Sequence, residues 1–281
     1  MRIIVTGSSG FIGKHLVCRL LEIGHTVIEI DKTEGHDLTD MRCLHNIESV
    51  DIIFHLAARV FVPDSYKYPR EFYYDNVVST LNILDYAKLY GSKVIYQSSY
   101  MYGPPQYLPI DEEHPVYAYN PYANSKLISE ELCKGYHRDF GLRVAILRPF
   151  NVYGPGQNIN FLIPQIIKGA RDGKITLMDP NPRRDLLYVD DMVDALISLI
   201  DYQDSFGVFN VGYGESYSVK EIAEIVIEIS GKQVSLNFSE QKRASEVNDL
   251  ICNNHRLLVE TGWYPRTPLK KGLELTFDNY D

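Results

Sequence analysis

Apolar positions along this chain follow two alternating rhythms, short β-branched runs and longer stretches at helical spacing. Residues 2–6 (Arg-Ile-Ile-Val-Thr) form the first run, and Gly7, Gly10 and Gly13 follow within seven residues. Phe11, Ile12, Leu16, Val17, Leu20 and Leu21 then recur on one helical face as far as Gly24, a natural stop. The pattern predicts strand, tight glycine turn, helix. It repeats: residues 26–31 and 50–58 predict a second and third strand, with turn chemistry over 35–40 leading into a short helix. Residues 76–90 predict a helix with Val77, Val78, Leu81, Leu84 and Ala87 inward, closed by Gly91. Residues 93–99 and 143–150 predict the fourth and fifth strands, separated by a helix over 122–140 that stops at Gly141. Near-continuous apolar strands alternating with helices specify an α/β fold, a parallel sheet covered on both faces.

The stretch 100–121 breaks the rhythm with Pro, Tyr, Glu and Gly. Its length and its tyrosines predict an ordered loop over a site. Beyond Asn151 the pattern loosens, predicting helices over 161–171 and 190–202 and strands over 175–178 and 206–211. Ser218 caps a helix running to Ser230, with Glu221 completing a capping box. Residues 255–276 hold two short helical pieces around Trp263-Tyr264-Pro265.

Composition narrows the classes. The 281 residues, 45% hydrophobic and 23% charged, suffice for one large domain with a smaller partner. A net charge of −9 argues against a nucleic-acid or acidic-membrane partner. No apolar run approaches the about 18 residues of a membrane span and no signal peptide is evident, so a cytoplasmic location is expected. Cys18, Cys43, Cys133 and Cys252 lie far apart, and the eight histidines are scattered. Reduced packing cysteines and no metal site are the expectation.

The glycine turn carries the first candidate chemistry. It leaves the first N–H groups of the following helix aimed at one spot, where orphan donors and the positive helix end favour a pyrophosphate. A tight strand–helix connection would look the same in isolation; its place opening a βαβ unit favours dinucleotide binding. Asp31 closes the second strand 18 residues after Gly13. A carboxylate there accepts from the adenosine ribose hydroxyls and repels a 2′-phosphate, which points to NAD, although an Asp at a strand end also serves as a turn residue. Tyr122 and Lys126 share a helix face. An ammonium beside a phenol favours the phenolate, making Tyr122 a candidate base, and Ser98 or Ser99 a candidate hydroxyl to hold the substrate oxygen. A Tyr–Lys pair at this spacing is otherwise an ordinary solvated helix face.

Taken in order, Gly7-Ser8-Ser9-Gly10-Phe11-Ile12-Gly13, Asp31, Asp37-Leu38, His55-Leu56-Ala57-Ala58, Asn76 with Thr80 and Asn82, Ser98-Ser99, Tyr102-Gly103, Tyr122-Ala123-Asn124-Ser125-Lys126, Arg148-Pro149-Phe150-Asn151 and Arg184 through Asp191 form a connected set. Phe209-Asn210-Val211-Gly212 and Gly262-Trp263-Tyr264-Pro265 continue it. The chain resembles an extended short-chain dehydrogenase/reductase of the NAD-dependent epimerase/dehydratase family, which acts on nucleotide sugars. The resemblance implies a Rossmann-type doubly wound parallel sheet with a smaller C-terminal substrate-binding region. The NAD-binding domain is expected over 1–155, with 186–213 returning to it, and the substrate region over 156–185 and 214–281. Catalytic Tyr122 and Lys126 are implied, with Gly7, Gly10, Phe11, Ile12, Gly13, Asp31, Asp37, Leu38, Leu56, Ala57, Ala58 and Asn76 on the cofactor, which Tyr122 and Lys126 also contact. Asn151 and Arg184 are implied to face a nucleotide-diphosphate sugar, with Arg243 neutralising its diphosphate. The helices over 76–90 and 122–140 are implied to form a homodimer contact, though core packing explains the same apolar stripes.

The chain departs from the family pattern in two places. The spacing from the serine pair to Tyr102-Gly103 is one residue short, which leaves Ser98 and Ser99 both open. The acid pair of sugar dehydratases, the Glu of decarboxylases and the Cys of one epimerase-reductase branch are replaced by Tyr100 and Met101. What remains suits a 4-epimerase that oxidises C4 transiently. A 4-keto-6-deoxy-sugar 4-reductase using NAD(P)H and a non-catalytic redox sensor are the alternatives.

Overall fold

The computed structural model describes residues 1–239 and 247–280. In chain order the first half runs β1 (Arg2–Thr6), α1 (Phe11–Glu22), β2 (Thr26–Ile30), β3 (Ile52–His55), α2 (Val62–Lys67), α3 (Pro69–Tyr73), α4 (Ser79–Tyr90), β4 (Lys93–Gln97), α5 (Pro121–Phe140) and β5 (Val144–Pro149). The second half continues β6 (Asn151–Tyr153), α6 (Leu162–Arg171), β7 (Lys174–Leu177), β8 (Arg183–Tyr188), α7 (Val189–Ser198), β9 (Phe206–Val211), β10 (Ser216–Ser218), α8 (Val219–Ser230), β11 (Ser235–Phe238), α9 (His255–Thr261) and α10 (Leu269–Asp278).

Among the described residues six parallel strands form the large sheet in the order β2-β1-β3-β4-β5-β9. Both faces are buried, as the apolar runs require. Ile3, Val5, Phe54, Ile95 and Leu147 pack one way, against Leu16 and Leu20 of α1 and Met192 and Leu196 of α7. Ile4, Ile53, Val94 and Ile146 pack the other way, against Ile83, Leu84 and Ala87 of α4 and Cys133 of α5. Strand order reverses between β1 and β3. A doubly wound sheet opens a crevice beyond the strand ends at that point, the usual ligand position.

The remaining strands form two smaller sheets, β10-β8-β6 and β11-β7. They are backed by an apolar cluster containing Ile163, Ile166 and Ile167 of α6, Ile222 and Val226 of α8, and Leu273 of α10. From the tail, Leu257 and Trp263 pack into the large-sheet core instead. Among the described residues no helix is long and apolar enough to cross a membrane, and no group of His, Cys, Asp and Glu side chains is placed to hold a metal ion.

Several elements are shorter than the sequence pattern suggests, and the difference matters for the site. The ladder between β1 and β3 ends at Thr6 and His55, and that between β4 and β5 at Gln97 and Leu147. Asp31, Leu56-Ala57-Ala58 and Ser98-Ser99 therefore leave the sheet and stand at its rim. The helix expected over 76–90 begins earlier, as α3, and passes through one π-helical turn at Tyr74–Val78 before α4. Such a turn inserts a residue that regular periodicity cannot reveal. The capping box at Ser218 and Glu221 is present as expected.

The helix expected over 190–202 stops at Ser198 for a visible reason. Lys93, buried at the start of β4, donates to the carbonyls of Leu199 (2.7 Å), Ile200 (3.2 Å) and Tyr202 (2.6 Å) and turns them away from helical geometry. Burial pulls the ammonium down to about 8; three carbonyl acceptors favour its charged form. Lys93→Met removes the shared donor of these carbonyls, leaving Leu199 O only its bond from Tyr202 N (3.3 Å), and is expected to cost about 1–3 kcal/mol, measured by denaturant unfolding.

Candidate active site

A cavity of about 1740 Å³ opens at the strand-order reversal. Single small-molecule sites span about 300–1,000 Å³, so this one has room for a dinucleotide and a second ligand together. One part of its wall comes from the β1–α1 turn and the ends of β2 and β3, another from the smaller sheets through Leu177, Arg184 and Leu186.

The glycine turn is built for close backbone approach. Gly7 has φ +70°, and a Cβ on it would stand 2.8 Å from Ala57 N. A Cβ on Gly13 would collide with the Gly7 carbonyl oxygen, and Gly10 N donates to that same oxygen at 3.0 Å. No side chain caps α1 and no acidic residue occupies its first turn, so its N–H groups meet the cavity directly. Gly10, Phe11 and Ile12 line the cavity there with Gly7 and Gly13.

Asp31 serves as both turn residue and cavity wall. Its Oδ1 accepts from Thr33 N (2.9 Å) and Thr33 Oγ1 (2.7 Å), and its Oδ2 from Ser9 N (3.2 Å), tying β2 to the glycine turn. Asp37 and Leu38 also line the cavity. Lys32, 2.8 Å away, and Thr39 hold the Asp37 carboxyl below the usual carboxylate range. Leu56, Ala57 and Ala58 form the adjoining wall. Thr6 Oγ1 fixes them by accepting from Leu56 N and Ala57 N, both at 3.1 Å. His55 lies behind this wall, hydrogen-bonded to Thr6 Oγ1 (2.8 Å) and Thr80 Oγ1 (3.1 Å). Burial pulls its ring down to about 3, so it stays neutral and cross-links strands and helix.

Asn76 is placed differently from the expectation. It is 1% exposed, and its Nδ2 donates to Ser125 Oγ (2.8 Å) and Arg59 O (3.2 Å) while its Oδ1 accepts from Arg59 N (2.7 Å). The amide clamps the π-helical turn, the loop after β3 and α5 together behind the cavity. Its side-chain hydrogen bonds are spent inside the protein.

The reactive pair sits at the start of α5, where Pro121 occupies the first turn and Asn120 caps by accepting from Ala123 N at 2.8 Å. Tyr122 lines the cavity. Burial pushes its hydroxyl up, and a hydrogen bond with the Ser99 side chain pulls it back. Ser99 is thus the serine that faces Tyr122. The neighbouring Ser98 is 1% exposed, and its Oγ has no partner among the described residues. Lys126, 2% exposed, stands one turn deeper, behind the wall, with Nζ 4.5 Å from the Tyr96 ring centre. Burial pulls it down to about 7. With burial also acting on Tyr122, the resting side chain is the phenol and not the phenolate. Ser99→Ala is expected to slow turnover, and Ser98→Ala much less, in steady-state kinetics at saturating substrate.

Beyond Ser99 the wall is apolar and aromatic. Tyr100 stacks on Phe150 with ring centres 5.3 Å apart, and Met101 is fully buried. Asn151 Nδ2 donates to Asp185 O (3.0 Å), and its Oδ1 faces Tyr100 Oη at 3.4 Å. Arg184 donates to the carbonyls of Arg183 (2.7 Å) and Val247 (2.8 Å) at the cavity edge. Arg243 lies outside the described residues.

The sequence pattern gave no sign of three cavity features. Gln97 and Gln157 line it with buried Oε1 atoms that have no partner among the described residues, like Ser98 Oγ. Buried polar atoms are normally paired, and on the cavity wall these acceptors are open to a bound ligand. Phe61 and Phe161 meet edge-to-face at 6.0 Å, bringing the loop after β3 against the start of α6. The glycine cradle, the bare helix end and these orphan acceptors together fit a dinucleotide.

A model of the NAD-dependent epimerase/dehydratase family matches residues 3–212. The chain belongs to that family. It is an enzyme of the extended short-chain dehydrogenase/reductase type with a Rossmann fold. Similar relatives differ in activity. A UDP-glucose 4-epimerase of Halalkalibacterium halodurans is 30% identical, the match covering 95% of this chain and 92% of that protein. A GDP-6-deoxy-D-mannose reductase of Pseudomonas aeruginosa is also 30% identical, over 100% and 97%. Among solved structures, a Thermotoga maritima UDP-glucose 4-epimerase with UDP-glucose superposes with a TM-score of 0.93 at 28% identity, covering 99% of this chain and 98% of that one.

Proposed function

We propose that the protein is an NAD-dependent nucleotide-sugar 4-epimerase acting by transient oxidation at C4 of the sugar. The observation that carries this reading is the wall beside Ser99. Tyr100, stacked on Phe150, and buried Met101 stand where an eliminating or decarboxylating relative needs an acid. Epimerisation at C4 moves one proton out and the same proton back, and Tyr122 with Ser99 suffices for that.

Gly7, Gly10 and Gly13 would hold the pyrophosphate of NAD, Asp31 the adenosine ribose, and Asp37 and Leu38 the adenine, with Leu56, Ala57 and Ala58 alongside. When bound, NAD supplies the hydride acceptor and donor. In the loaded enzyme, where the Lys126 charge and an oxidised nicotinamide would together offset burial and favour the phenolate, Tyr122 Oη takes the proton of the C4 hydroxyl as the carbonyl forms, and returns it after the keto sugar presents its other face. Ser99 Oγ holds the C4 oxygen in place, and the Lys126 charge favours the phenolate. Asn151 and Arg184 face the nucleotide-diphosphate sugar, and Arg243 neutralises its diphosphate. We assign residues 156–185 and 214–239 to the substrate-binding region, whereas Leu257 and Trp263 of the tail belong with the large-sheet core.

The second reading is a nucleotide-diphospho-4-keto-6-deoxy-sugar 4-reductase using NAD(P)H. It is supported by the Pseudomonas reductase, as similar to this chain as the epimerase is. Tyr122 and Ser99 on the cavity wall, with buried Lys126 one turn behind, argue against a non-catalytic sensor, which needs none of them. The test is turnover without added cofactor. Interconversion of UDP-glucose and UDP-galactose, or of their N-acetyl forms, by protein whose denaturation releases NAD supports the epimerase. Consumption of NADH or NADPH only with a 4-keto sugar replaces it with the reductase.

We place the enzyme in the cytoplasm, in keeping with four free cysteines. A homodimer through α4 and α5 is proposed on the apolar side chains those helices expose, Leu89 (72%) and Phe140 (54%) foremost.

A further inference from the structure

Behind Tyr122 lies a buried ion pair to which the reaction above assigns no part. Glu130 on α5 is 0% exposed and Arg148 on β5 is 4% exposed. Arg148 Nε and Nη2 donate to the two Glu130 oxygens at 2.9 and 2.6 Å. Arg148 Nη1 donates to Tyr102 Oη (3.0 Å), which donates to Asn210 Oδ1 (2.6 Å). Asn210 in turn donates from Nδ2 to Ile110 O (3.0 Å) and from its backbone N to Glu112 Oε1 (2.6 Å). Well-packed apolar side chains would often serve stability equally well, so stability alone is a weak account of a buried pair.

Its position suggests another. Glu130 follows Lys126 by one helical turn on the same face of α5. We propose that Glu130 is a positioning residue that keeps Lys126 charged beneath Tyr122, and that Arg148 fixes the Glu130 carboxylate for that task. The proposal rests on the reading of Lys126 as the partner of Tyr122.

The other groups facing Lys126 cannot supply the charge. His55 from β3 is neutral and buried. Tyr96 from β4, and Tyr122 and Cys133 from α5 itself, are all pushed up by burial and keep their protons. From the π-helical turn comes the neutral amide of Asn76. Glu130 opposes the effect of burial on Lys126 most strongly, ahead of Cys133, whose thiol burial keeps protonated.

The test reads the Lys126 amine directly in the full chain without substrate, as the pH dependence of trace acetylation by acetic anhydride, located by peptide mass spectrometry. Glu130→Gln is expected to lower the Lys126 midpoint by about one unit, a tenfold change in the charged fraction at a given pH. Glu130→Asp, which keeps the charge, should hold it near the native value. The double variant Glu130→Gln/Arg148→Gln leaves no unpaired buried charge, so it decides the matter if the single variant fails to fold. It should move the midpoint the same way by a smaller amount. A native midpoint in the glutamine variants overturns the proposal. Undiminished turnover by Lys126→Met, with the midpoint still falling in Glu130→Gln, would instead overturn the reactive-pair reading and leave the charge assignment standing.

Discussion

Tyr122→Phe is expected to lower turnover by about 10²–10⁴-fold while the purified protein keeps its bound dinucleotide. The substitution removes one oxygen. The Phe ring retains the edge-to-face contact with Phe72, whose ring centre is 6.5 Å away. The oxygen lost is the one whose ionisation the Ser99 side chain favours, at the point where the substrate proton must go. Ser99 can still orient an oxygen but has no partner to receive its proton. The fold and the glycine cradle do not depend on this hydroxyl, so binding and catalysis should separate cleanly. Steady-state kinetics together with the absorbance of acid-released nucleotide measure both, and an unchanged rate would remove Tyr122 from the reaction.

Gly13→Ala is expected to strip the protein of its dinucleotide. The added Cβ meets the Gly7 carbonyl oxygen and stands 2.9 Å from Ser8 Cα. Both are backbone atoms, so no side chain can rotate out of the way. Either α1 moves back or the turn opens, and each displaces the N–H groups that would hold the pyrophosphate. Overpacking of this kind costs about 1–3 kcal/mol, which as lost affinity is roughly 5- to 150-fold. Gly24→Ala is the control. Its φ of +85° is strained for alanine, yet no atom lies within 4 Å of the added Cβ and the position is remote from the cradle. It should lower the melting temperature without lowering nucleotide content.

The glycine turn was legible from sequence because its requirement falls on single positions where only a missing Cβ fits. The strands β1, β3, β4 and β5 were legible because each is buried on both faces and reads as a short, largely apolar run, whereas the half-exposed edge strand β2 was legible from its β-branched residues. The strands β6, β8 and β10 were not. The strand β8 begins Arg183-Arg184-Asp185, and its first half carries no apolar period. Asp185 is nevertheless 0% exposed, because it accepts from the backbone N–H groups of Tyr213, Gly214 and Cys252. Such acceptor roles leave no trace in hydrophobic pattern.

The site divides similarly. Motif spacing placed Tyr122, Asp31 and the glycines on one cavity, but it could not choose between Ser98 and Ser99. That choice depends on where β4 ends, at Gln97, and so on which hydroxyl turns toward α5. The resemblance also implied Asn76 on the cofactor, whereas the structure spends its amide on Arg59 and Ser125. The Glu130–Arg148 pair joins a helix to a strand; Arg148 lies in one of the motifs that carry the resemblance, but Glu130 does not stand out from its neighbours in the sequence.

The central claim is that C4 is oxidised and reduced again within one protein-bound cycle. A nucleotide sugar carrying deuterium at C4, incubated in ordinary water with no added cofactor, tests it most directly. The account predicts both epimers at equilibrium with the deuterium still on C4. Epimerisation with loss of the label to solvent, or conversion that requires an external reduced cofactor, would contradict it.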